Sequence, residues 1–147
     1  MNLVNFCMPH EPKGYSKTPL AKKLGIKPGF RLKLVNAPDH YFDLFTDMPE
    51  SVDKDSKGKM DMVHFFTKDE KELVRLLPKF KTDIMQNGMI WVSWPKKSAK
   101  VITDVSENMI RDVALGIGLV DIKVCAVDDV WSGLKLVIPV SDRVRGS

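Results

Sequence analysis

Lys96-Lys97 follows directly on Trp94-Pro95, so two mobile ammonium groups stand where an apolar run ends. Lysines so placed hold a phosphate or carboxylate as point charges. The plainer reading is a solvated turn beyond the sheet. Asp128 closes a second apolar run, I-K-V-C-A-V, three residues before Trp131. A carboxylate there serves as a general base or anchors a ligand hydroxyl. Equally, it bonds the backbone of the following turn, as aspartates do. Trp131 either stacks on a planar ligand or covers the core. Asn36 and Asp39 flank Ala37-Pro38 where a third run, R-L-K-L-V, ends. An asparagine at a strand end bonds its own backbone or a ligand.

Other reactive side chains read as structural. Cys7-x-x-His10 has the spacing of half a metal site, but structural zinc takes four ligands and no second pair completes it. His64 lies in the apolar run D-M-V-H-F-F and reads as a core or interface histidine with one ring nitrogen satisfied. Cys125 sits in an apolar strand and reads as inert, since a reactive thiol needs exposure beside a cation. Trp91 and Trp94 straddle a strand at odd separation, face opposite sides and pack. Neither a Gly-x-Ser-x-Gly elbow nor a Walker loop occurs. The pattern assigns no catalytic residue, metal or cofactor.

The elements that must position these residues follow from periodicity and punctuation. Residues 18–25 predict a helix with Thr18 as N-cap, Pro19 at the first helical position and Gly25 as the stop. Residues 31–36 alternate and predict strand one. Asp39 is expected to cap a short helix, HYFDLF, and 48–59 reads as loop, with at best an edge strand at 51–54. Residues 61–66 predict a strand covered on both faces. Thr67 is expected to cap a helix over 68–86, broken or kinked at Pro78 and stopped by Asn87-Gly88. A strand follows at 89–94. Asp104 or Ser106 caps a helix over 107–118. Strands at 122–128 and 134–139 are joined by a link too short for a parallel crossover, hence an antiparallel hairpin.

This order predicts an α/β fold: a three-layer, mostly parallel Rossmann-like sheet with a C-terminal antiparallel hairpin. Ligands bind such sheets beyond the carboxyl ends of the strands. Asn36, Asp39, Lys96, Lys97, Asp128 and Trp131 would then share one rim, the candidate ligand site. Residues 1–14 read as a flexible head, 15–140 as one domain and 141–147 as a tail.

At 147 residues the chain can bury a core unaided. Two cysteines make no disulfide framework and fit a reducing cytoplasm. No run is long enough to span a bilayer, and the first sixteen residues, without a basic start followed by an apolar core, do not read as a secretory signal. The net charge of +4 comes from 23 basic residues interleaved with 19 acidic ones, so nucleic acid is not an expected partner.

Two resemblances add to this. Y-S-x-T-P-L-A-K-K-L-G-I-K-P-G (15–29), W-P-K-K (94–97) and V-C-A-V-D-x-x-W-S-G-L (124–134) resemble a bacterial domain family known only as one of unknown function. That likeness implies a small bacterial cytosolic protein and carries no activity. The element order also resembles a shortened Rossmann-type methyltransferase: a helix, then N-G-M-I-W-V-S-W, one more helix and a closing hairpin. Methyltransferases of that type need a glycine-rich turn after strand one, where this chain has Val35-Asn36-Ala37-Pro38-Asp39. The ribose-binding acid would have to come from Asp53 or Asp55, neither of which closes a convincing strand. The expected function is therefore a non-catalytic module that binds a small anionic ligand or a protein partner at the rim. The alternative is a divergent S-adenosylmethionine-dependent methyltransferase with an altered cofactor loop. A third reading is a subunit of a larger assembly or homo-oligomer, with Tyr41-Phe42 as contact surface.

Overall fold

The computed structural model describes residues 18–144. The head, with Cys7, His10 and Tyr15, lies outside the described residues. Strands β1 (Leu32–Val35), β2 (Met60–Phe66), β3 (Ile84–Pro95), β4 (Val120–Ala126) and β5 (Trp131–Val137) form one sheet in the order β1-β2-β3-β5-β4. β1 to β3 pair in parallel, and β5 is antiparallel to both β3 and β4. Two reversals restore direction, so β4 points the same way as β1 to β3. The carboxyl ends of these four strands therefore share one rim, with the start of β5.

Helices α2 (Glu70–Asp83) and α3 (Glu107–Gly116) cover one face of the sheet. In α2, Leu73, Leu77 and Phe80 recur at helical spacing and are buried. Each such side chain contributes about 1.5–3 kcal/mol. They meet Val63, Phe65, Ile90, Val92 and Trp94. Helix α1 (Leu20–Leu24) and the 3-10 turn Tyr41–Leu44 cover the other face, over Met62, Phe66 and Trp91. Trp91 and Trp94 thus face opposite sides, as their spacing required. The Trp91 indole donates to the Leu24 carbonyl at 2.9 Å, tying the end of α1 to the sheet.

Several boundaries differ from the sequence reading. The N-cap position of α1 falls on Pro19, which has no capping side chain. Asp47 does that work from a distance, accepting from the amides of Ala21 (2.9 Å) and Lys22 (3.0 Å). Asp69, not Thr67, caps α2 through the Lys71 amide. Asp104 and Ser106 both cap: Asp104 takes the Glu70 amide of α2 and Ser106 the Met109 amide of α3. Asn87-Gly88 stops nothing, because α2 ends at Asp83 and β3 begins at Ile84. Gly88 serves a close approach instead: a Cβ there would stand 3.1 Å from the carbonyls of Met60 and Asp61. β5 begins at Trp131, so Gly133 lies within a strand and not in the hairpin turn.

Candidate functional site at the carboxyl rim

Each strand exit delivers its residues to the rim, but their side chains find partners of different kinds. Asn36 leaves β1 in the left-handed region, φ 59°, which asparagine tolerates better than other non-glycine residues. Its side-chain amide donates to Glu72 at 3.2 Å, and the buried Thr67 hydroxyl at the exit of β2 donates to the other Glu72 oxygen at 2.8 Å. One carboxylate in the first turn of α2 thereby ties two strand exits together. Asp39 is exposed and does not cap the 3-10 turn, which follows His40 without a side-chain cap.

At the exit of β4, Asp128 accepts from the amides of Val130 (2.8 Å) and Trp131 (2.7 Å). Its second oxygen lies 3.6 Å from His40 Nε2. The loop after β1 therefore crosses the sheet to reach the loop after β4. Trp131 packs edge-on against Phe66, with ring centres 5.1 Å apart. Lys96 is fixed through its backbone, its amide donating to the Val130 carbonyl at 2.7 Å. None of the six ion pairs among the described residues involves Lys96 or Lys97. The rim thus unites Lys96, Asp128 and Trp131, while Asn36 is occupied beside Glu72.

Sequence reasoning missed Glu72 and Thr67 as a pair, although their i, i+5 spacing across a helix start was visible. It also missed that His64 is satisfied at both ring nitrogens, by Tyr41 Oη (2.9 Å) and Ser93 Oγ (2.8 Å). Tyr41 is buried, so it offers no contact surface; only Phe42 beside it is exposed. Burial pushes the Cys125 thiol up despite the nearby Lys23, Lys123 and Lys96, in line with an inert cysteine.

A cleft of about 330 Å³ opens elsewhere, along the outer edge of β1, lined by Lys33, Leu34, Lys54, Lys57 and Asp83 among others. In a doubly wound sheet the first strand lies inside, with the ligand crevice where strand order reverses beside it. Here β1 is outermost. Its free side meets a single bridge, Arg31 to Asp53, in place of the short edge strand at 51–54. The residues at this position do not fit S-adenosylmethionine held in the usual manner: the turn has Pro38 without an amide donor, and among the described residues no strand lies on the free side of β1 to bring a ribose-binding acid.

Residues 44–140 match the family described as protein of unknown function, DUF3052. The chain belongs to the DUF3052 family. No curated protein is similar to it in sequence. Among solved structures, the DUF3052 fold is similar to ribosomal protein L11 methylase from Lactobacillus delbrueckii subsp. bulgaricus (TM-score 0.51, 11% identity, covering 78% of this chain and 72% of that one). Magnesium protoporphyrin IX methyltransferase from Synechocystis PCC 6803 with bound SAM is similar to the same degree (0.52, 12%, 79% and 73%). So is Aeropyrum pernix fibrillarin with natively bound S-adenosyl-L-methionine (0.50, 14%, 86% and 71%). At these identities the likeness to these methyltransferases establishes a Rossmann-like fold for the DUF3052 chain, and the fold alone. No helix among the described residues is long and apolar enough to cross a membrane.

Proposed function

We propose that this DUF3052 protein is a binding module without catalytic chemistry of its own, and that it takes a small anionic ligand, or an acidic group of a protein partner, at the carboxyl rim. The observation that carries this reading is the contrast in charge at the rim. Lys96 and Lys97 have no ion-pair partner among the described residues. Glu72 and Asp128 are engaged by hydrogen bonds at the same rim. Free ammoniums on a fixed backbone favour a phosphate or carboxylate. Asp128, Trp131 and Asn36 would shape the rim, and Asp39 stands exposed beside it.

Thermal-shift titration with inorganic phosphate, AMP and citrate tests the reading. A ligand at a hundredfold its Kd adds about 2.7 kcal/mol of stability. That gain should shrink in a Lys96→Ala, Lys97→Ala double variant. No stabilisation by any of the three would sink the ligand half of the reading.

A divergent methyltransferase is the second reading, favoured by the likeness of the sheet to structures that hold S-adenosylmethionine. Calorimetry separates the two. Micromolar binding of S-adenosylmethionine would turn the argument towards the enzyme.

A further inference from the structure

Lys123 and Lys135 stand directly opposite each other in the β4–β5 pair. Like charges in that position repel, and sheets ordinarily avoid them. Lys123 has an answer: its ammonium donates to the Lys23 carbonyl at the end of α1, at 2.8 Å. Lys135 has none. It is partly buried on the same face, its Nζ 3.6 Å from where a Cβ on Gly25 would stand. Lys27 lies two residues beyond Gly25 and is exposed. None of the six ion pairs among the described residues includes Lys27, Lys123 or Lys135. Burial, then the charges of Lys123 and Lys27, push the Lys135 ammonium down in pKa, so the fold bears a cost for keeping it there.

We propose that Lys27, Lys123 and Lys135 form a binding site for a phosphoryl anion on the α1 face of the β4–β5 hairpin, made by different residues from the Lys96–Lys97 rim. A phosphate group suits this cluster better than a carboxylate. It carries close to two negative charges and three acceptor oxygens, against one charge and two oxygens. Lysines serve such a group as mobile point charges. Bound there, it would supply the counter-charge that the described residues do not.

The test is a titration followed by amide NMR shifts, with inorganic pyrophosphate in one arm and AMP in the other. The expected result is saturable movement of the Gly25, Lys123 and Lys135 amides, retained in the Lys96→Ala, Lys97→Ala variant. Response to pyrophosphate supports a free phosphate ligand, and response to AMP supports an esterified one. Lys135→Met should abolish the response while melting no lower than the wild type in anion-free buffer. Lys123→Gln, which keeps a donor for the Lys23 carbonyl, should weaken binding at least fivefold. Shifts that grow linearly without saturation, or that persist in both variants, overturn the proposal. Shifts confined to the Lys96 and Lys97 amides also overturn it, while leaving the rim reading standing.

Discussion

The Tyr41 hydroxyl lies 2.9 Å from His64 Nδ1, and both groups are buried. Through His64 Nε2 and Ser93 Oγ the contact continues across the sheet, so one imidazole joins the loop after β1 to β2 and β3. Phe66 stacks on the imidazole with ring centres 4.3 Å apart. This apolar lid and the neutral hydroxyls leave no counter-charge for a protonated ring. Desolvation lowers the His64 pKa from 6.5 to about 3 and raises that of the Tyr41 phenol.

The sign of the resulting pH dependence follows. Above pH 6.5 His64 is neutral in both folded and unfolded chains, and the stability it permits is fully present. Below that, the unfolded chain takes up a proton that the folded one refuses, so stability falls as pH drops towards 3. At about pH 5 the loss should be about 2 kcal/mol. Urea midpoints at about pH 7 and pH 5 measure it. His64→Gln, which keeps a donor and an acceptor, should show a smaller drop than the wild type. Equal drops would mean that the folded chain protonates His64 after all.

Tyr41→Phe isolates the other half of the relay. Removing the hydroxyl leaves His64 Nδ1 buried without its partner, at a cost of about 1–3 kcal/mol. The aromatic contacts to Phe42, Phe45 and Phe66 remain, so the variant should fold and unfold cooperatively, with only its urea midpoint lowered. An unchanged midpoint would show that the bond contributes nothing net.

Gly133 sits in β5 because the Trp91 indole lies over it. A Cβ there would meet Trp91 Cε3 at 3.0 Å and Val127 Cγ2 at 3.3 Å. Trp91 cannot retreat easily, since its ring nitrogen is bound to the Leu24 carbonyl. Gly133→Ala should therefore destabilise by about 1–3 kcal/mol through overpacking. A melting temperature within a degree or so of wild type would show that the indole moves freely.

Pro78 lies inside α2 and faces solvent. It removes one helical hydrogen bond and crowds the carbonyl of Val74. The helix nonetheless runs on to Asp83, held by Leu77 and Phe80 on its buried side. Pro78→Ala should stabilise the chain by about 1–3 kcal/mol. A loss of stability in the variant would mean that the proline shapes contacts to the sheet.

Most of the sheet was legible because apolar runs such as M-V-H-F-F and M-I-W-V-S-W announce buried strands, and short links announce hairpins. The parallel β1 to β3, the closing hairpin and the common rim all follow from that pattern. What stayed hidden was set by contacts distant in sequence. Asp47 caps a helix 26 residues earlier, a partnership that no local signal carries. Asn87-Gly88 looked like turn chemistry, but Gly88, like Gly133 in β5, serves close packing within a strand. At the rim, the ends of the apolar runs put Asn36 and Asp128 at strand exits, but did not show their engagement by Glu72 and by backbone amides. Whether a polar side chain is free or spent depends on neighbours that only the folded chain supplies.

Asp128 shows how that distinction can be measured. Its carboxylate oxygen collects the amides of Val130 and Trp131, closing the turn between β4 and β5, while the other faces His40. If the turn is its main role, Asp128→Asn should be tolerated, because an amide oxygen accepts the same two bonds. Asp128→Ala should cost about 1–2 kcal/mol, since two amides lose their acceptor and only water can replace it. A general base would behave otherwise: asparagine and alanine would then be equally damaging to any activity found, with stability little changed. Urea unfolding of the two variants side by side therefore decides between a structural carboxylate and one held in reserve for chemistry at the rim.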